Sequence, residues 1–490
     1  MTRGRVPSAY GLLFFLCFFI LLSSGRIASS DAGQQRQVAV MLALTGRMGD
    51  DGAPGGPVTP GWVHAPNGRW YQAHDIGNVA LMLPAAWIGG HLSRASAAEQ
   101  IVSPPAVSRV GASLASACLA ALGCWWLFRL FTLDLQPATA FAASLAFPLT
   151  TTFMAYSRAA WDVLGACCFM CGVLYYSAAL LRGIRPLRSA VLLAVALACA
   201  CSFRYSLAPF IVPAAAAVLW LARRSPGAHA AASGVAFASL MLPTFAYNFV
   251  RTGSPLRPAT ASPVYLEGPN ALTGDMLHGL YGLFASPNRG LFVFSPVLLT
   301  ALALPLVWRR LTREQRVLIG AYGAGVAGYV LLVSKLVNWG AFGWGPRYLV
   351  PVLPVLFAAA VLAAANVSAK MRVAVFLLAA CSVVLMLPTA VVNWHMATTD
   401  FAGAADSEAR RPYQLVAGWR ALVMGLQGED LPVPAGSRGD SLRATTGVFP
   451  DLWLARLARQ SSAFTVLALI LFAAGVTLAA GAVRGILAST

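Results

Sequence analysis

Seven ionisable residues fall where a hydrophobic run of this chain meets a connecting segment: Asp31, Arg158, Asp162, Arg204, Arg289, Lys335 and Arg347. A charge at the edge of a hydrocarbon layer is costly and is kept there by a partner or a water-filled cavity. Carboxylates mixed with guanidiniums suit an anionic ligand whose chemistry also moves a proton. The guanidinium fork grips the anion through two parallel hydrogen bonds, and a carboxylate accepts the proton of an attacking hydroxyl.

Asp31 follows the first apolar run and precedes a segment with helical spacing, so it reads either as a helix N-cap or as a general base whose pKa is raised near lipid. Arg158 and Asp162 stand four apart in the turn Tyr156-Ser157-Arg158-Ala159-Ala160-Trp161-Asp162. They form a structural ion pair, or a site that holds an acceptor or a divalent cation (Mg or Mn) between Asp31 and Asp162. Arg204-Tyr205 marks another outer turn, where snorkelling alone explains an arginine. Arg289 in Ser286-Pro287-Asn288-Arg289-Gly290 and Arg347 in Trp344-Gly345-Pro346-Arg347-Tyr348 are set in Pro/Gly turns, and a fixed guanidinium binds phosphate better than a free one. Trp339, Phe342 and Trp344 read as interfacial anchors or as stacking surfaces for a sugar or isoprenoid. His64, His74 and His91 lack metal-ligand spacing, and His74 reads as loop polarity first and a substrate contact second.

The elements that position these residues are membrane spans. A chain of 490 residues that is 58% hydrophobic and 11% charged cannot bury its apolar surface in a water-soluble core. Apolar runs of bilayer-crossing length lie near 8–24, 106–128, 138–156, 160–181, 189–204, 206–222, 229–250, 291–308, 317–335, 347–365, 372–392 and 463–483. This pattern predicts an all-α polytopic membrane protein of about twelve helices. The clusters Arg3/Arg5, Arg129, Arg182/Arg185/Arg188, Arg223/Arg224, Arg309/Arg310/Arg313/Arg316, Lys370/Arg372 and Arg484 then share one face, which the positive-inside rule makes cytoplasmic. Both termini join that face, and the first run is expected to stay as an anchor although it resembles a signal peptide.

Every long connection falls on the other side. The expected organisation is a catalytic membrane module over 1–392 with outer loops 25–105 and 251–290, an outer loop 393–462 containing Trp394 and His395, and a last helix and tail over 463–490. Within the first outer loop, Gln34–Leu44 and Ile76–Ile88 are expected as interfacial helices.

Several function classes are excluded. The net charge of +18 is dispersed in short clusters between apolar runs rather than gathered in one patch, which argues against nucleic acid. All nine cysteines lie inside apolar runs, giving no disulfide or metal framework. No phosphate-binding Gly-rich loop, serine triad or nucleotide fold is present.

Taken in order, the Asp after the first span, Gly68-Arg69-Trp70-Tyr71, Tyr156-Ser157-Arg158 ahead of Asp162, Arg204-Tyr205, Ser286–Gly290 and Gly345–Pro351 resemble the GT-C class of membrane glycosyltransferases. They are most like the bacterial relatives of dolichyl-phosphate-mannose protein mannosyltransferases, glycosyltransferase family 39. The likeness covers the first eleven spans. It implies a GT-C-like fold and inverting transfer of a sugar from a polyprenyl-phosphate carrier at the outer face of a bacterial cytoplasmic membrane. Asp31 would then be the base and Asp162 would orient the acceptor or hold a metal. Arg158, Arg204, Arg289 and Arg347, with Tyr205, Tyr348, His74 and Trp344, would form the substrate contacts. Asp31 is followed by Ala32, where the mannosyltransferases carry an Asp-Glu pair, so the acceptor is left as a glycan, lipid or protein. The rival expectations are a transporter or flippase of lipid-linked sugars and a non-catalytic binding subunit. A flippase is disfavoured by the absence of an inverted repeat and by charges gathered at one face.

Overall fold

The computed structural model describes residues 5–27, 30–52, 61–96, 99–100, 105–158, 160–222, 226–261, 271–340, 343–393, 413–429 and 449–488. Phe342, Trp394, His395, Arg3, Ala159 and the Arg223/Arg224 cluster lie outside them.

Among the described residues the chain is helical almost throughout. It runs α1 (Arg5–Leu22), α2 (Ser30–Thr45), α3 (Gly77–Leu92), α4 (Ala106–Phe131), α5 (Pro137–Thr150), α6 (Phe153–Ser157), α7 (Asp162–Leu181), α8 (Pro186–Phe203), α9 (Ile211–Ala222) and α10 (Pro226–Thr252). There follow α11 (Met276–Phe284), α12 (Leu291–Phe294), α13 (Leu304–Val307), α14 (Arg313–Ser334), α15 (Leu353–Asn366), α16 (Ala369–Val391), α17 (Gln414–Leu426), α18 (Trp453–Ala458) and α19 (Ser462–Leu487). Eight helical stretches among the described residues, one of them Arg347–Asn366 made of a 3₁₀ turn and α15, are long and apolar enough to cross a membrane, so the chain is an all-α polytopic membrane protein.

The other four expected spans are helical but shorter or broken. Proline removes a backbone donor and stops a regular ladder: Pro148 lies within α5, Pro209 within the 3₁₀ turn Tyr205–Phe210, and Pro296 opens a 3₁₀ segment to Ala303 between α12 and α13. α2 and α3 occupy the two stretches expected as interfacial helices.

One element departs from the helical expectation. Residues Trp62–His64 (β1) and Trp70–Gln72 (β2) pair antiparallel, with His64 opposite Trp70. Gly68 turns the hairpin at φ +81°, a conformation that only glycine adopts without a Cβ penalty.

α7 is the most enclosed span, and its small residues explain why. Gly165 meets the Phe203 ring and Gly172 meets Trp126, while Cys168 packs on Gly123 of α4. Around this centre, α10, α16 and α19 present apolar side chains outward, including Phe376, Leu377 and Leu469, as lipid-facing helices do.

Opposite ends of α7 have opposite character. At its C-terminal end Arg182 pairs with Asp134 at 2.7 Å, and the neighbouring Arg310 donates to the carbonyl of Asn366 at 2.6 Å. Its N-terminal end begins with Asp162, which faces Arg204 and Arg347.

Candidate active site

Five of the predicted residues converge from four separate parts of the chain. Asp31 stands in the first turn of α2 and Asp162 begins α7, so both carboxylates sit at helix N-termini, where the helix dipole favours negative charge. Asp162 Oδ1 also accepts from the Val163 N–H at 2.8 Å. Arg347 opens the 3₁₀ turn Arg347–Val352 and inserts its guanidinium between the two acids. Its Nη2 lies 2.7 Å from Asp31 Oδ2 and 3.5 Å from Asp162 Oδ1, with Trp161 beneath it at 4.8 Å.

Arg204 follows α8 in an extended conformation and brings Nη1 to 3.9 Å from Asp162 Oδ2. It lies over the Tyr348 ring at 5.4 Å, and its Nη1 makes no hydrogen bond among the described residues. His74 Nε2 completes the row, 3.6 Å from Asp31 Oδ1. The side chains of Asp31 and His74 are 26% and 21% exposed, against 8% for Arg347 and 6% for Asp162, so the site opens on the Asp31–His74 side and closes behind Arg347.

The electrostatics follow from this packing. Burial pushes Asp31 up, but the charges and hydrogen bonds of His74 and Arg347 outweigh it and hold the carboxyl well below the usual carboxylate range. This corrects the expectation of a raised pKa: the cations lie closer than lipid. Burial lowers His74, and Asp31 more than offsets that, leaving the imidazole raised.

Residues missed in the sequence hold the frame. Arg251 donates to the carbonyls of Gln72, Ala73 and His74 at 2.8–2.9 Å, fixing the strand that delivers His74. Asp75 accepts from the Tyr205 N–H at 2.8 Å, tying the His74 loop to the Arg204 turn. Behind Arg347, Gln414 accepts from Gly345 N and donates to the Gly343 carbonyl, both at 3.0 Å. Its own N–H reaches Asn288 Oδ1 at 3.1 Å. The signal for Arg251 and Asp75 was a charged residue beside a predicted outer turn; for Gln414 there was none.

Three predicted contacts are placed elsewhere. Arg158 does not pair with Asp162. All its donors are taken by the carbonyls of Leu22, Thr389, Val392 and Asp451 and by Asp451 Oδ2, which leaves nothing for a substrate. Arg289 is buried and donates to the carbonyls of Gly340 at 2.7 Å and Gly343 at 3.5 Å, so it braces the turn carrying Arg347 instead of facing a ligand. Trp344 is fully buried, edge-on to Phe294, and offers no face for stacking. Tyr205 contributes its backbone to Asp75 while its ring packs against the core, and Tyr348 acts as the platform under Arg204.

The metal expectation meets a specific obstacle. The point between Asp31 and Asp162 is held by Arg347 Nη2, so the pair shares no edge for Mg or Mn unless that guanidinium leaves. Among the described residues no group of three or more His, Cys, Asp or Glu is placed to hold a metal ion.

No protein-family model matches the chain, and no curated protein matches it. Solved structures similar to it include two of one protein. ArnT from Cupriavidus metallidurans bound to undecaprenyl phosphate gives a TM-score of 0.47 at 13% identity, over 99% of this chain and 76% of that one. ArnT from Cupriavidus metallidurans in the apo state gives 0.46 at 15% identity, over 97% and 73%.

Proposed function

We propose that this chain is an inverting glycosyltransferase of the GT-C class, moving a hexose or pentose from a polyprenyl-phosphate carrier to an acceptor at the outer face of the bacterial cytoplasmic membrane. The observation that carries the reading is the row Asp31–Arg347–Asp162–Arg204, two carboxylates interleaved with two guanidiniums at the ends of apolar helices. A lipid phosphate reaches such a rim from the bilayer side while a hydroxyl acceptor approaches from water.

In this mechanism the acceptor oxygen attacks the anomeric carbon and its proton passes to Asp31. The bond from the anomeric carbon to the phosphate oxygen breaks with inversion, and the electron pair leaves on the polyprenyl phosphate. Arg204, whose Nη1 has no hydrogen-bond acceptor among the described residues, and Arg347 take up the charge that builds on that phosphate. As Arg347 turns to the phosphate, Asp31 loses a counter-ion and becomes a stronger base. Asp162 keeps the two guanidiniums in register. The reaction depends on positioning and electrostatics and needs no covalent intermediate.

A flippase would need the cations to line a path through the bilayer, whereas here they sit at one end of α7. Transfer of radiolabelled sugar from synthetic polyprenyl-phosphate sugars, assayed in membranes containing the full chain, tests the proposal. Label appearing in a new product supports it, and a complete panel of donors and membrane acceptors giving only lipid movement would overturn it.

A further inference from the structure

On the opposite flank of α2 lies a second concentration of charge that the transfer reaction does not use. Arg36 follows Asp31 by five residues, which turns it by roughly 140° around the helix. It is 5% exposed and donates to the Gln100 carbonyl at 3.3 Å. Arg109 stands in the first turn of α4, and its guanidinium has no hydrogen-bond or ion-pair partner among the described residues. Arg456 of α18 completes the group. It reaches Asp451 Oδ1 at 2.6 Å and the Ser24 carbonyl at 3.2 Å, each through a single nitrogen.

α4 and α18 meet at Gly25, where an added Cβ would lie 2.6 Å from Trp453 Cβ and 3.7 Å from Val110 Cγ2, while Gln100, the Arg36 acceptor, donates to the Gly90 carbonyl at 3.2 Å next to Gly89, which approaches Ser108 at the start of α4. Arg109 is close enough to Arg36 to help burial pull that guanidinium down to about 10, and it is repelled in turn by Arg456. Against Arg26, Arg36, Arg109, Arg158 and Arg456, the described carboxylate within this group is Asp451, which Arg26 and Arg158 already engage. Like charges gathered out of water are unfavourable unless an anion joins them.

We propose that Arg36, Arg109 and Arg456 form a binding site for a phosphate group, separate from the Asp31–Arg347 centre. The first turn of a spanning helix lies at headgroup depth, so the ligand is the phosphate of an anionic lipid headgroup or of a phosphate-bearing molecule that approaches along the same surface. Guanidinium forks at this depth match phosphate oxygens in both charge and geometry.

The test uses the full chain in neutral phosphatidylcholine nanodiscs titrated with phosphatidylglycerol, with bound lipid counted by native mass spectrometry. Arg109→Gln is the informative variant, because no internal partner is lost with it, and Arg47→Gln removes an equal charge from an exposed pair with Asp51. The site predicts phosphatidylglycerol retained over phosphatidylcholine, with affinity lowered about tenfold in Arg109→Gln and unchanged in Arg47→Gln. Asp31→Asn should retain the lipid, which separates this site from the transfer reaction. Competition by inorganic phosphate would show that phosphate itself is read, and resistance to it that a lipid must present the group. Equal retention by Arg109→Gln and the unaltered protein, or no preference for the anionic lipid, would overturn the proposal.

Discussion

Arg347 donates to Asp31 at 2.7 Å across 316 positions of sequence, and this one bond joins α2 to the turn that opens α15. The same guanidinium nitrogen lies 3.5 Å from Asp162. A base and its neighbouring carboxylate are therefore both restrained by the cation that the proposed mechanism turns toward phosphate.

The Asp31–His74 contact sets the pH behaviour. Asp31 is held below its ordinary 3.8 and His74 above its ordinary 6.5. Asp31 thus adds stability above about pH 4 that is lost as pH falls through its lowered value, and His74 adds stability below about pH 6.5 that is lost as pH rises through its raised value. Removing the imidazole in His74→Gln is expected to move the acid limb of the activity profile upward. A pH–rate profile of the variant checks this, and an unmoved limb would show that Arg347 alone sets Asp31.

Arg204 is expected to act on carrier binding. Arg204→Gln should weaken polyprenyl-phosphate binding by about ten- to a hundredfold, the range for a lost charge-assisted hydrogen bond, with little change in thermal stability. Equilibrium binding of undecaprenyl phosphate measures it; a stability loss with unchanged binding would make Arg204 structural.

The helical framework was legible in the sequence because lipid imposes one solution on long apolar runs, and rim charges are rare enough for Asp31, Asp162, Arg204 and Arg347 to stand out. Arg158 misled because its i,i+4 neighbour Asp162 was visible, while its actual partner Asp451 lies 293 positions away. Trp344 carried the composition of an interfacial anchor, but helix α17 covers it, with Gly418 approaching its ring. The β1–β2 hairpin left a local trace in Asn67-Gly68, a turn signal inside an outer loop whose only expected elements were the helices at Gln34–Leu44 and Ile76–Ile88. The depressed pKa of Asp31 had no local trace, since Arg347 arrives from the far end of the chain.

Asp451 tests that long-range frame. It is fully buried and bonded to Arg26, Arg158 and Arg456, and Arg158 in turn offers its carbonyl to Ser24 N and Oγ and to Ser113 Oγ. Asp451→Ala should cost about 3–5 kcal/mol, the range for breaking a buried ionic cluster on one side. Thermal and denaturant unfolding in detergent measure it, and a loss below about 1 kcal/mol would show the cluster to be compensated by water.

Gly345 is required by the turn before Arg347. Its φ is +61°, and an added Cβ would lie 3.0 Å from Thr152 Cγ2 and 3.1 Å from the Phe294 ring. Gly345→Ala is expected to cost about 1–2 kcal/mol and to lower turnover more than carrier binding. Steady-state kinetics beside a binding curve would show whether the two separate.

The most direct measurement compares Asp31→Asn with the unaltered chain for sugar transfer and for undecaprenyl-phosphate binding in the same preparation. The account predicts transfer reduced about a thousandfold with carrier binding retained. Transfer persisting near the unaltered rate in Asp31→Asn would contradict it.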